Sequence, residues 1–380
     1  MNILFVRMSY IGDIMHATPT AKWIKEHYPH AKLHWIVTPR MAELLEHNPY
    51  VDEIILWDRE SYEEHSKQLH IRTMWNMWWQ LRKLLQPYQF DVAVDVQGRL
   101  ITGLVLLASG APIRLGLGNV KELNWMFTNY KTTALQKHVI YKYLDVAKLL
   151  PMAIGDADLV DDGSLGVQGG SDSSFGADDI RMVLNLTSEE NDWAAEKLSC
   201  GNGKRIVLAP GTSWPSKVWH EARWVQLIKE LQETHTVVLL GGKQEAEQFQ
   251  SIVALAMASD LSQSTNLINL MGQTTLRETA AIMSRCQCVV AGDTGVLHMA
   301  SALGIPVVGL FGPTNSAEWG PLGSNCRILQ ASNLDCLGCR KRKCPKKEHL
   351  CMDGISVEQV LDSINTVSSS IYSELYTYIL

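Results

Sequence analysis

Three short segments carry residues able to do chemistry, and each falls where an apolar run gives way to a helical pattern. The first is Ser9-Tyr10-Ile11-Gly12-Asp13-Ile14-Met15-His16. Gly12 permits a tight turn with close backbone approach. Asp13 then sits near a helix N-terminus, where the helix dipole favours an ionised carboxylate able to accept a proton at neutral pH. The same place suits a residue that merely caps the helix, and the segment by itself leaves both roles open.

The second segment is Ala209-Pro210-Gly211-Thr212-Ser213-Trp214-Pro215-Ser216-Lys217-Val218-Trp219. Thr212 and Ser213 supply hydroxyls, Gly211 frees backbone N–H groups and Lys217 supplies a cation. A diphosphate needs those three things. A plain loop with an exposed lysine and packed tryptophans would look the same. The Gly-Lys-Ser/Thr spacing of a Walker loop is absent.

The third segment, Val290-Ala291-Gly292-Asp293-Thr294-Gly295-Val296-Leu297-His298-Met299-Ala300, places Asp293 and Thr294 between two glycines where a helix begins. Free N–H groups at Gly295 and beyond, with the Thr294 hydroxyl, make an anion seat. Asp293 cannot hold phosphate and suits sugar hydroxyls instead. His298, one turn on, reads as a structural histidine behind the site. No segment carries Gly-x-Gly-x-x-Gly, which argues against a nicotinamide dehydrogenase.

These segments need elements to hold them. Short β-branched runs alternate with longer helical patterns along the chain, the signature of parallel βαβ units. The first half predicts strands at 3–7, 33–38, 53–57, 90–95 and 113–116, with one long helix from Ser66 to Gln86 that Pro87 ends. Within it Trp75, Trp78 and Trp79 stand at i, i+3 and i+4, as on a membrane-surface helix. A helix packed on a sheet gives the same pattern and is the preferred reading. The second half predicts strands at 205–209, 236–240, 266–270, 288–291 and 306–311. Between the halves, the Gly/Ser-dense stretch Gly163–Gly176 reads as a linker or surface loop.

The bulk numbers agree with two globular domains: 380 residues, 46% apolar and 19% charged. A net charge of −6 argues against nucleic acid as the partner. The first residues show no secretory signal, and no apolar run reaches the ~20 residues of a membrane span. The expectation is a soluble, cytoplasmic chain with at most peripheral membrane contact. Of eight cysteines, Cys336, Cys339, Cys344 and Cys351 lie close together beside His349. They are expected to be reduced, and they are enough for a structural zinc site despite irregular spacing. The basic run Arg340–Lys347 reads either as a solvated loop or as a face for an anionic partner at a membrane surface.

Together, Ile11-Gly12-Asp13, the Gly-Thr-Ser…Lys…Trp loop of 211–219, and Gly292-Asp293-Thr294-Gly295-Val296-Leu297-His298 with the downstream Ala302-Leu303-Gly304-Ile305-Pro306-Val307-Val308-Gly309-Leu310-Phe311-Gly312-Pro313-Thr314 resemble glycosyltransferase family 9, the ADP-heptose:lipopolysaccharide heptosyltransferases. The resemblance runs from Ile3 to about Val360. It implies an α/β GT-B fold, two Rossmann-like parallel-sheet domains facing a central cleft. Residues 1–165 would bind the acceptor and 178–355 the donor, with a C-terminal helix over 356–380 packing back on the first domain. It implies an inverting transfer of heptose from ADP-heptose to the lipopolysaccharide inner core, with no cofactor required for catalysis. By position, Asp13 matches the general base. Thr212, Ser213 and Lys217 match donor-phosphate ligands, Asp293 the carboxylate on the heptose, and Thr294 and Gly295 the diphosphate seat. Glu245, in Gly241-Gly242-Lys243-Gln244-Glu245, is placed as a ribose ligand. Two other readings stay open: a GT-B transferase using a different nucleotide sugar, and a non-catalytic nucleotide-sugar or glycan-binding protein of the same fold.

Overall fold

The computed structural model describes residues 1–68, 70–118, 120, 122–132, 138–156, 175–200, 203–257, 266–346 and 349–377, apart from the side chains of 253, 255–257 and 369–377. The chain divides into two compact units, Met1–Leu184 and Asn185–Leu380. All of the expected linker except Phe175 and Gly176 lies outside the described residues.

In the first unit the chain runs β1 (Asn2–Val6), α1 (Ile11–His27), β2 (Lys32–Val37), β3 (Glu53–Leu56), α2 (Arg59–Lys67), α3 (Ile71–Leu85), β4 (Val92–Asp95), α4 (Leu100–Ser109), β5 (Ile113–Gly116), β6 (Tyr130–Lys131), α5 (Val139–Ala147) and α6 (Leu149–Ile154). The six strands are parallel in the order β3-β2-β1-β4-β5-β6. Ile3, Leu4, Phe5 and Val6 of β1 are fully buried, as expected for a central strand covered on both faces. The unit keeps the chain as far as Leu184 because residues 175–184 dock on α1. There Lys22 Nζ donates to the carbonyl and carboxylate of Asp178, and Val183 N donates to Thr18 Oγ1 at 2.8 Å.

The predicted helix Ser66–Gln86 is in fact two. Asp58 caps α2, its Oδ1 accepting from Ser61 N at 3.0 Å; α2 ends at Lys67 and α3 starts at Ile71. The cap signal Asp58-Arg59-Glu60-Ser61 marks the start of α2, and the helix that carries the tryptophans starts at Ile71, later than the predicted Ser66. The core reading of those tryptophans holds for one of three. Trp78 packs on the first unit's core and donates Nε1–H to Leu104 O at 3.0 Å, whereas Trp75 and Trp79 are exposed.

The second unit runs α7 (Ser188–Lys197), β7 (Arg205–Ala209), α8 (Glu221–Gln232), β8 (Thr236–Leu239), α9 (Lys243–Gln248), α10 (Gln250–Met257), β9 (Leu267–Asn269), α11 (Leu276–Ser284), β10 (Cys288–Gly292), α12 (Gly295–Ala302), β11 (Val307–Leu310), α13 (Ser316–Trp319), β12 (Cys326–Leu329), α14 (Leu350–Asp353) and α15 (Val357–Thr377). Its parallel sheet has the order β12-β11-β10-β7-β8-β9. Read from the other edge, that is the same winding as the first. Val357, Val360, Ile364 and Val367 turn one face of α15 into this unit's core. Of the 356–380 helix expected to pack back on the first domain, residues 378–380 and the side chains of 369–377 lie outside the described residues.

One ion pair ties α7 to α11. Arg277 is buried, and its guanidinium grips the Glu190 carboxylate through Nε and through Nη2, the latter at 2.6 Å. Glu190 also closes a capping box with Thr187. The Arg277 hydrogen bonds pull Glu190 from 4.5 to about 2. A carboxylate depressed on folding adds stability above its unfolded value and loses it as pH falls through the folded one. Glu190→Gln should therefore unfold at lower temperature than the wild type near neutral pH, with the gap closing as pH falls towards about 2. Thermal melts across that range check this; a gap independent of pH would remove the ion pair as its cause.

Candidate active site

In each unit the strand order reverses direction next to the first strand, between β1 and β4 and between β7 and β10. Loops leaving the carboxyl ends of such a strand pair diverge to opposite faces and leave a crevice where α/β ligands bind. All three chemistry-bearing segments leave those strands.

In the first unit, Asp13 is the third residue of α1. Its Oδ2 meets Arg7 Nη2 at 2.6 Å and accepts from Tyr10 N at 3.2 Å. Asp13 thus caps its helix and is also paired with a cation. Arg7 is buried, which opposes its charge, but Asp13 outweighs the burial with help from Tyr143, so its pKa is raised. Arg7 Nη1 also donates to Val96 O at 3.3 Å, and Gln97 Oε1 accepts from Met8 N at 2.9 Å, which stitches β1 to the loop after β4. Asp95, fully buried at the end of β4, accepts from Gln97 N, Gly98 N, Thr102 Oγ1 and Asn124 Nδ2. Burial raises its pKa against those four donors. Beside Asp13, Arg59 Nη1 donates to Ser9 Oγ at 2.7 Å. Sequence reasoning misses Arg7, Arg59 and Gln97. A lone arginine closing an apolar strand is the one signal available.

In the second unit, Gly211–Lys217 follows β7 and Asp293 follows its neighbour β10, so residues 76 apart in sequence meet. Lys217 Nζ lies 2.7 Å from Asp293 Oδ2 and donates to Asp293 O at 3.2 Å, and it sits 4.7 Å from the centre of the Trp214 ring. On the other side, His298 Nε2 lies 3.5 Å from Asp293 Oδ1. Burial pushes the Asp293 carboxyl up, but His298 and Lys217 more than reverse it and hold it well below the usual carboxylate range. An ammonium has three donors. Two of them engage Asp293.

Thr294 caps the N-terminus of α12 without a side-chain bond to it, and its Oγ1 is buried with no partner. A buried hydroxyl left unmet beside the free N–H groups of Gly295 and its successors is the chemistry of an anion seat. Ser216 fixes the lysine loop: its N donates to Arg342 O at 3.2 Å and its Oγ to Lys341 O at 2.6 Å. The basic run thus serves the site through its backbone, while the side chains of Lys341, Arg342 and Lys343 stay exposed and Arg340 pairs with Glu318. Lys347 lies outside the described residues. Glu245 lies against this loop too. A Cβ on Gly211 would stand 2.2 Å from its Cγ, so the side chain lies where only a glycine at 211 leaves room, and one on Gly242 would stand 2.7 Å from its Oε2. Thr212 Oγ1 accepts from Trp214 N at 3.4 Å, and Ser213 is exposed in the same turn.

The cysteines do not assemble as the zinc expectation required. Among the described residues no group of three or more His, Cys, Asp or Glu is arranged to hold a metal ion. Cys351 turns into the second unit's core under Gly312, where a Cβ would come 2.9 Å from its Sγ, while Cys339 is exposed. Burial first, then the neighbouring thiols of Cys336, Cys344 and Cys339, push the Cys351 thiol up.

Two Rossmann-like parallel-sheet units wound alike make this a GT-B chain. It belongs to glycosyltransferase family 9 (heptosyltransferase), which it matches over residues 78–350, and it is a glycosyltransferase. It is 23% identical to lipopolysaccharide heptosyltransferase 2 of Escherichia coli over 384 residues, 97% of this chain and 98% of that one. It is 28% identical to lipooligosaccharide heptosyltransferase 2 of Campylobacter jejuni over 171 residues, 44% of this chain and 53% of that relative. The solved ADP-heptose lipopolysaccharide heptosyltransferase II of E. coli superposes with a TM-score of 0.74 at 22% identity, covering 98% of this chain and 100% of that one.

Proposed function

We propose that this chain is an inverting glycosyltransferase that moves a heptose from ADP-heptose to the inner core of lipopolysaccharide, working at the cytoplasmic face of the inner membrane. The observation that carries the reading is the second unit's switch point: Lys217 locked to Asp293, beside the unpartnered Thr294 hydroxyl at the start of α12. That arrangement suits a sugar diphosphate. The Asp293 carboxylate takes sugar hydroxyls, while the remaining Lys217 donor, Thr294 Oγ–H and the Gly295 N–H take phosphate oxygens. Thr212 and Ser213 add hydroxyls from the lysine loop, and Glu245 lies where a ribose would be gripped. Among the described residues no helix is long and apolar enough to cross a membrane.

In the transfer, Asp13 takes the proton of an acceptor hydroxyl through Oδ1, since Oδ2 is already engaged by Arg7 and Tyr10. The acceptor oxygen bonds to the anomeric carbon as the bond to the diphosphate breaks, and a single displacement inverts the centre. The leaving diphosphate gains negative charge, which Lys217 and the α12 N-terminus are placed to meet.

Calorimetry of ADP, UDP and GDP against the purified protein, with no added metal, tests the donor. Selective ADP binding is expected. A preference for UDP or GDP would keep the transferase and replace the donor. Silence with all three would bring forward the non-catalytic reading.

A further inference from the structure

α3 buries one face and leaves its neighbouring stripe bare. Met74, Met77, Trp78, Leu81 and Leu85 turn into the first unit's core. Beside them Ile71, Trp75 and Trp79, four residues apart and so in one row, are exposed, the two indoles by 58% and 42%. The three tryptophan rings touch, with centroids 5.5 to 5.9 Å apart. They form one cluster and not three separate surface residues.

The row continues onto its neighbours. Trp78 Nε1 donates to Leu104 O and Arg82 Nη1 to Leu107 O, so the bare stripe of α3 lies on the side where α4 packs. Leu107 of α4 is exposed in turn. Across α4, a Cβ on Gly103 would strike the Phe127 ring at 2.2 Å, which brings the turn carrying exposed Trp125 and Met126 against the same helix. Apolar side chains of α3, α4 and the 124–127 turn therefore form one belt.

The two helices of this belt carry charge of one sign only, although α2, which precedes α3, holds Glu60, Glu63 and Glu64. The whole chain carries a net charge of −6, yet Ile71–Leu85 holds Arg72, Arg82 and Lys83 and no acid, and Leu100–Ser109 holds no charge at all. Lys131 sits 5.5 Å from the centre of the Trp125 ring. The adjacent acid, Glu122, is neutralised by Arg99 at 3.0 Å. Indoles with cations at their rim suit the boundary between acyl chains and anionic headgroups, where the ring has an apolar body and a polar edge to satisfy.

We propose that the belt of α3, α4 and the 124–127 turn docks the protein on an anionic lipid bilayer, by shallow insertion of Trp75, Trp79 and Trp125 with Arg72, Lys83 and Lys131 on headgroups. The proposal does not rest on the transferase reading. The test is flotation of the full chain with vesicles of phosphatidylethanolamine and phosphatidylglycerol, and with vesicles of phosphatidylcholine alone. The wild type should float with the anionic vesicles and bind them less as salt rises. W75S/W79S should bind them about tenfold or more weakly, with an unchanged circular dichroism spectrum because both side chains are exposed. The proposal is overturned if the wild type does not bind the anionic vesicles, if it binds phosphatidylcholine as well, or if W75S/W79S binds like the wild type. It is also overturned if the wild type is a dimer that W75S/W79S converts to monomer, since the occupant would then be a second copy of this chain.

Discussion

Asp13→Asn should lower kcat by roughly a hundred- to ten-thousand-fold, the usual contribution of a positioned general base, and leave ADP affinity as it was. The substitution keeps the shape of the side chain and one acceptor oxygen, so Tyr10 N can still be capped. What is lost is the ability to hold a proton. The rival role, helix capping alone, makes a different forecast: no change in turnover and no lost cap, because Asn keeps the acceptor that Tyr10 N uses. Stability can fall for another reason, because a neutral amide at this position would leave the buried Arg7 guanidinium without the counter-charge it now meets at 2.6 Å. Rates are therefore to be compared well below the variant's melting temperature. Turnover like the wild type's would remove Asp13 from the chemistry and leave it as a cap.

Much of this is legible in sequence because parallel sheets are covered on both faces and their strands read as unbroken apolar runs. Both β5 and β7 fall at their predicted limits, Ile113–Gly116 and Arg205–Ala209. The edge strands β6 and β12 escape for the complementary reason. Tyr130–Lys131 is only two residues long, and Cys326–Leu329 is at most half-buried, so neither carries such a run. At the site, residue types announce Lys217, Asp293 and Thr294 but not how they meet. Lys217 and Asp293 bond each other, which no spacing of 76 residues could say. The buried clasp of Ser216 on the backbone of Lys341 and Arg342 is invisible in sequence too, because its acceptors are carbonyls. The basic run looks like a charged face, and part of its work is done by its main chain.

Lys217→Ala should abolish measurable ADP binding and, separately, destabilise the second unit. The two losses have different causes. Binding falls because the cation facing the diphosphate is gone. Stability falls because Asp293, largely buried beneath Lys217, keeps its charge without its closest partner; removing one member of a buried pair costs about 3–5 kcal/mol. His298, 3.5 Å from the other carboxylate oxygen, still faces the carboxylate and should bring the loss towards the lower end of that range. A second substitution separates the causes. Asp293→Asn on the Lys217→Ala background removes the stranded charge, so the double variant should recover much of the melting temperature and none of the ADP affinity. The pH dependence should follow. In the wild type the depressed Asp293 carboxyl adds stability above the unfolded value of 3.8, lost as pH falls through the lower folded one. In Lys217→Ala that acid-side loss should shrink, because the attraction that depressed the carboxyl has been cut. Melting curves and calorimetry on the same samples decide it. If the double variant regains ADP binding, Lys217 acts only as the partner of Asp293, and the α12 N-terminus holds the diphosphate without it.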